Sequence, residues 1–122
     1  MSTILISINP KYVEKILNGS KKFEYRKVSC RPDVDKLVIY STHPVMKVVA
    51  EVEVKRILEG NPDAIWKDTK QYSGVSKKFY DSYYKGKRKA IAFEIDNVIV
   101  FNESKTLADY GVRNPPQSFV YV

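Results

Sequence analysis

Between residues 19 and 26 the chain reads Gly-Ser-Lys-Lys-Phe-Glu-Tyr-Arg, which crowds the charged side chains Lys21, Lys22, Glu24 and Arg26 together. Lys and Arg supply donors for phosphate, and the planar Arg fork can also lie along a base edge or stack on its face. A carboxylate among them can hold the cations in place or accept a hydrogen bond from an exocyclic amine or a ribose hydroxyl. An ordinary surface salt bridge is the plainer alternative. A second basic stretch, with Lys77, Lys78, Lys85, Lys87, Arg88 and Lys89, is interleaved with Tyr80, Tyr83 and Tyr84. Aromatic faces among cations can stack bases while neutralising phosphates. Helical spacing favours Phe79, Tyr80 and Tyr83 packing the small helix onto the barrel, with Tyr84 as the exposed member. Hydroxyls at Tyr40-Ser41-Thr42 could bind a base or sugar, or could belong to an ordinary turn.

Other chemistries lack their parts. Cys30 is the only cysteine, so neither an intrachain disulfide nor a thiolate metal cluster can form. His43 is the only imidazole, which leaves no His pair for acid-base cleavage and no metal site. No Gly-rich phosphate loop, nucleophile elbow or dinucleotide fingerprint is present, and no cofactor or metal is expected. Residues 1–8 are too short for a signal sequence, and no apolar run approaches the ~18 residues of a membrane span, so the expected location is cytoplasmic, away from any membrane.

The net charge of +7 is unevenly placed. Residues 11–31 carry seven basic and two acidic side chains, and residues 77–89 carry six basic and one acidic. The remainder is net acidic. A polyanion-binding face would need such concentration, though two solvated faces on opposite sides of the fold would show the same pattern.

These residues need a scaffold, and the patterning describes one α+β domain over residues 1–122. Ile4, Ile6 and Ile8 alternate as in a strand. Asn9-Pro10 then opens a short helix that stops at Asn18-Gly19. Strands are expected over 22–26, 37–42, 45–57, 89–101 (bent near Asp96-Asn97) and 118–122. Asn61-Pro62 opens a short helical turn, Ser76 a second small helix, and Leu107 to Tyr110 a last turn ending at Gly111. So many strands with so little helix fit a closed or nearly closed mixed β-barrel.

The run Gly19-Ser20-Lys21-Lys22-Phe23-Glu24-Tyr25-Arg26 fits Gly-x-Lys-x-x-Glu-x-Arg and resembles the signature of ASCH domains, a branch of the PUA-like superfamily. Further similarity lies in Ser7-Ile8-Asn9-Pro10-Lys11-Tyr12, in Leu37 to Val54 and in Pro115-Pro116-Gln117-Ser118-Phe119, as in short prokaryotic and phage-type members. The resemblance implies a PUA-like β-barrel with a short helix after the first strand, small peripheral helices, and an RNA-binding cleft beside the signature loop. On that basis the expected function is non-catalytic binding of RNA or other nucleic acid through Lys21, Lys22, Glu24 and Arg26, helped by Ser41, Lys85, Lys87 and Arg88. The alternative is a small hydrolase of a modified nucleoside, or a ribonuclease, with Lys21, Glu24 and Arg26 as its catalytic set. Members that hydrolyse acetylated cytidine use a Lys, a Thr and a more distant Glu. Lys21 matches the Lys, Glu24 stands where the Thr hydroxyl is needed, and residues 70–89 contain only Asp81 as an acid.

Overall fold

A computed structural model describes all of residues 1–122. Strand β1 (Ser2–Ile8) is followed by helix α1 (Pro10–Leu17), then by strands β2 (Phe23–Arg26), β3 (Val34–Ser41) and β4 (Lys47–Gly60). Helices α2 (Pro62–Thr69) and α3 (Lys77–Tyr83), joined through a 3-10 turn at Lys70–Tyr72, precede the long strand β5 (Ala90–Lys105). A second 3-10 turn, Leu107–Tyr110, leads to β6 (Phe119–Tyr121). No helix is long and apolar enough to cross a membrane.

The strands form one mixed sheet in the order β2-β5-β4-β3-β1-β6, with β1 parallel to β3 and every other pair antiparallel. The sheet curls into a half-barrel. Its register shifts show where it bends. Ile95 pairs with Val54 and Val98 with Val52, so β5 carries one extra residue at Asp96-Asn97, the expected bend. Of the two barrel forms expected, the nearly closed one is present: β2 and β6 are the two edges and do not pair with each other. Arg26 spans the gap instead, donating to the Ser7 carbonyl at 2.7 Å and to Ser118 Oγ at 3.4 Å.

The concave face holds the main core: Ile4, Ile6, Ile8, Leu37, Ile39, Val52, Ile91 and Phe93, sealed by Val13 and Ile16 of α1. Leu5, Val38 and Tyr40, of opposite parity on their strands, are joined by Val48, which lies past the register shift between Val48 and Ala50, and are covered outside by Leu107, Tyr110 and Val120. A third cluster joins Phe23, Tyr25, Ala90 and Ala92 to Ile65, Tyr80 and Tyr84, fastening α2 and α3 beside the β2 edge. Tyr84 therefore differs from its expected exposure. It is buried, and its hydroxyl donates to the Arg26 carbonyl at 2.8 Å, because α3 turns back over the start of β5.

Two local features position the signature. Asn9 caps α1 by accepting from the Lys11 amide, with Pro10 at the first helical position. Gly19 (φ +84°) then reverses the chain, so that Lys21 runs back beneath the helix before β2 begins. Helix α2 is longer than the single turn expected. Its Thr69 is buried by donating to the Ile65 carbonyl at 2.7 Å, a polar anchor that leaves no trace in the hydrophobic pattern.

Candidate functional site

A cavity of about 180 Å³ opens where α1, β2 and α3 meet at the gap in the half-barrel. Its lining includes Ile8, Asn9, Lys21, Glu24, Arg26 and Val75, with the rings of Tyr12, Tyr25, Phe79, Tyr80 and Tyr83. Lys21, Glu24 and Arg26 are 2%, 7% and 9% exposed, which is unusual for such side chains. They are mutually satisfied. Arg26 donates to Glu24 Oε2 through Nη2 at 2.7 Å and Nε at 3.2 Å, while Lys21 Nζ donates to the Ser73 carbonyl at 2.7 Å.

Glu24 Oε1 is the exception. It accepts no hydrogen bond within the protein; the Lys21 amine stands 3.7 Å away, beyond good hydrogen-bond reach. No fully buried side-chain oxygen or nitrogen lacks a partner, so this atom keeps contact with the open cavity. The site thus presents a free carboxylate acceptor and the spare donors of a lysine, walled by aromatic faces. Burial pushes the Lys21 ammonium down from its ordinary value; Glu24 pulls it back up, and Arg26 and Lys15 add to the fall. Burial likewise raises the Tyr12 and Tyr83 phenols, and Tyr25 is pushed up to about 12.

Lys21 is gripped by the segment Ser73-Gly74. Gly74 (φ +70°) lies so close that a Cβ built there would stand 2.5 Å from Lys21 Cβ and Cγ, and its carbonyl accepts from Lys15 at 3.1 Å. Gly74→Ala combines an unfavourable φ with a displaced lysine stem. It is expected to lower stability by about 1–3 kcal/mol, and a urea unfolding curve matching the unaltered protein would contradict this contact.

The other expected site residues lie elsewhere. Lys22 is exposed and outside the cavity lining, its amine 4.6 Å from the Tyr72 ring, because it precedes β2, whose four residues from Phe23 onward are the buried ones. Ser41 is buried at the end of β3 opposite Ile8, next to the cavity but not in its wall. Lys85, Lys87 and Arg88 are exposed beyond α3, past Gly86, and none lines the cavity; Lys87 borders a separate depression with Asp63 and Asp81. Asp81 itself pairs with Lys77 at 2.6 Å in solvent, away from the cavity. Sequence reasoning did not assign Asn9, Tyr12, Ser73, Gly74 or Val75 to the site; the signal at hand for Asn9 and Tyr12 was their place in the run Ser7 to Tyr12 just ahead of the signature, and Ser73 to Val75 carried none. No group of His, Cys, Asp and Glu side chains is arranged to hold a metal ion. Burial raises the Cys30 thiol, which makes it a poor nucleophile.

A mixed half-barrel with a buried ionic cluster at its gap defines the class of this domain. Residues 6–105 match the ASCH domain model, and the chain belongs to the ASCH domain family. The ASCH protein of Zymomonas mobilis has the same fold: its crystal structure superposes with a TM-score of 0.89 at 25% identity over 98% of this chain and 87% of that one. A tyrosine-to-phenylalanine mutant of it gives 0.90 at 24% identity over 100% and 91%. Among curated relatives, large ribosomal subunit protein uL22 of Ureaplasma parvum is 31% identical over 98% of this chain but only 39% of its own length. An ASCH domain-containing ribonuclease of Zymomonas mobilis is 29% identical over 73% of this chain and 61% of its own. The chain thus spans about two fifths of the length of the first of these curated relatives and about three fifths of the second.

Proposed function

We propose that residues 1–122 act as one RNA-binding domain in which a single unstacked base enters the cavity. The observation that carries this reading is the buried Lys21–Glu24–Arg26 cluster, with Glu24 Oε1 left without a hydrogen bond at the floor of an aromatic chamber. Burying three charges is costly, and a fold has little reason to do so for stability alone. Glu24 would accept an N–H from the base, Lys21 would donate to a ring carbonyl, and Tyr12, Phe79 and Tyr83 would pack against the ring. Sequence-specific RNA recognition works in this way, on bases splayed out of single strands. A relative named as a ribonuclease is consistent with RNA as the ligand.

The test is titration of the purified protein with single-stranded RNA and with free nucleosides, alongside Glu24→Gln and Tyr83→Ala. Affinity is expected to fall about tenfold or more in each folded variant, as loss of a charged hydrogen bond or a stacking face implies. Unchanged affinity in both would overturn the assignment.

A second reading, RNA cleavage, is favoured by the buried Lys21 amine in the cavity wall, 3.7 Å from Glu24, where burial eases the loss of its proton. A neutral Lys21 amine can take the proton of a ribose 2′-hydroxyl. The 2′-oxygen then attacks the adjacent phosphorus, the bond to the 5′-oxygen breaks, and that oxygen receives the proton from Lys21, leaving a cyclic phosphate. Lys21→Arg keeps the charge but cannot become neutral, so cleavage of labelled RNA should disappear while binding survives. Intact RNA after incubation with the unaltered protein would retire this reading.

A further inference from the structure

Along the rim of the cavity, the rings of Tyr12, Phe79 and Tyr83, which also line it, form a continuous row. Tyr12 and Phe79 have centroids 5.5 Å apart, and Phe79 stacks on Tyr83 at 6.0 Å with an interplanar angle of 14°. Phe79, in the middle, is 42% exposed, so its ring face is accessible from solvent. Cations stand at both ends. Lys11 and Lys15 lie 5.8 and 5.9 Å from the Tyr12 ring, and Lys27 lies 4.4 Å from the Tyr83 ring. Lys36, Arg56, Lys77 and Lys89 are held in ion pairs by carboxylates, whereas Lys11, Lys15 and Lys27 have no such partner. Lys11 and Lys27 are exposed as well.

We propose that this row is the track of a single nucleic-acid strand, with one base stacked on Phe79 and backbone phosphates held by Lys11 and Lys15 at one end and by Lys27 at the other. The inference rests on the base-binding reading of the cavity and extends it, because the cavity would draw one base out of the strand lying along its rim. Stacking platforms flanked by cations recognise single strands whatever their sequence, since every base has a π-face. A duplex hides those faces and is not accommodated.

The experiment is fluorescence anisotropy of a labelled short single-stranded RNA over a salt series, with the unaltered protein, Lys11→Ala/Lys27→Ala and Phe79→Ala, and with unlabelled duplex as competitor. Titration of the unaltered protein with nucleosides runs beside it. Removing two phosphate contacts should make the log–log salt slope shallower by roughly 1.4, at about 0.7 per contact for a single strand. Phe79→Ala should weaken binding about 5- to 150-fold, the range for one stacked base. Duplex should compete poorly.

An unchanged slope in the lysine variant together with unchanged affinity in Phe79→Ala would overturn the track, and nucleoside binding would then still stand for the cavity. The converse separates the two readings. Strand binding that depends on Lys11, Lys27 and Phe79, without any nucleoside binding, would support the track and overturn the cavity as a base site. Duplex competing as well as single strand would also overturn the track.

Discussion

Glu24→Ala is expected to lower the unfolding free energy by about 3–5 kcal/mol, the cost of deleting one partner from a buried ionic group. The carboxylate is the only anion in the cluster. It accepts two bonds from Arg26 and faces the Lys21 amine, and all three side chains are at least nine-tenths buried. Without it, two largely buried cations confront each other with little solvent to screen them. Urea unfolding at neutral pH measures the loss directly.

The same variant carries a pH signature that a simple packing defect would lack. Lys21 is already easier to deprotonate than an ordinary lysine, and losing Glu24 removes the main attraction holding its proton. Its folded-state pKa therefore falls further below its unfolded value. Between those two values the unfolded chain binds more protons than the folded one, so stability rises with pH, and over a wider window in the variant. The deficit between variant and parent should thus shrink as pH rises from 7 towards 10. A deficit under about 1 kcal/mol, flat with pH, would mean that solvent screens the cluster, contrary to its burial.

The sequence made some of this architecture plain and hid the rest for identifiable reasons. Strand β1 and helix α1 were legible because the alternation of Ile4, Ile6 and Ile8 and the Asn9-Pro10 cap are local signals. So was the bend of β5, where Asp96-Asn97 interrupts an apolar run. The chemistry of Lys21, Glu24 and Arg26 was legible as a motif, but their burial was not, since lysine is ordinarily a surface residue. Burial follows from Ser73-Gly74 closing over Lys21 from some fifty residues away. Tyr84, set among lysines, looked exposed for the same reason: its surroundings come from β2 and β5, not from its neighbours in the chain. Charge density also misled as a guide to place. The cations beside the cavity are Lys11, Lys15 and Lys27, whereas the denser run at Lys85 to Lys89 extends past the turn at Gly86. Periodicity reports which face of an element is apolar, but not which two elements share a wall.

The half-barrel's gap explains why the site lies where it does. Closing β2 against the strand beside it would have required backbone ladder bonds along the seam. The chain uses the Arg26 guanidinium there, on the Ser7 carbonyl and Ser118 Oγ, which leaves room for a cavity between β2 and α1. Arg26 thus ties a structural seam to the Glu24 carboxylate.

Above pH 10 the protein is expected to lose stability steeply, by roughly 4 kcal/mol per pH unit, as three tyrosines become coupled to unfolding. Tyr25, Tyr80 and Tyr84 are each at most 6% exposed. Each spends its hydroxyl proton inside the fold. Tyr80 donates to the Pro62 carbonyl at 2.7 Å and Tyr84 to the Arg26 carbonyl at 2.8 Å. Tyr25 donates to Thr69 Oγ1 at 2.6 Å, since the Thr69 proton is already given to the Ile65 carbonyl. Burial raises all three phenols, Tyr25 to about 12 and the other two further. Between the unfolded value near 10 and these folded values, the unfolded chain has released protons that the folded chain keeps, so stability falls as pH rises. Lys21 acts in the opposite sense below about 10.5, but it is one group against three. Phenolate absorbance during an alkaline titration should therefore show these tyrosines ionising together with loss of structure. Tyr84→Phe should reduce the slope of stability against pH by about 1.4 kcal/mol per unit, one proton's share. Smooth ionisation of every tyrosine in a still-folded protein would contradict the packing of α3 against β2 on which the cavity depends.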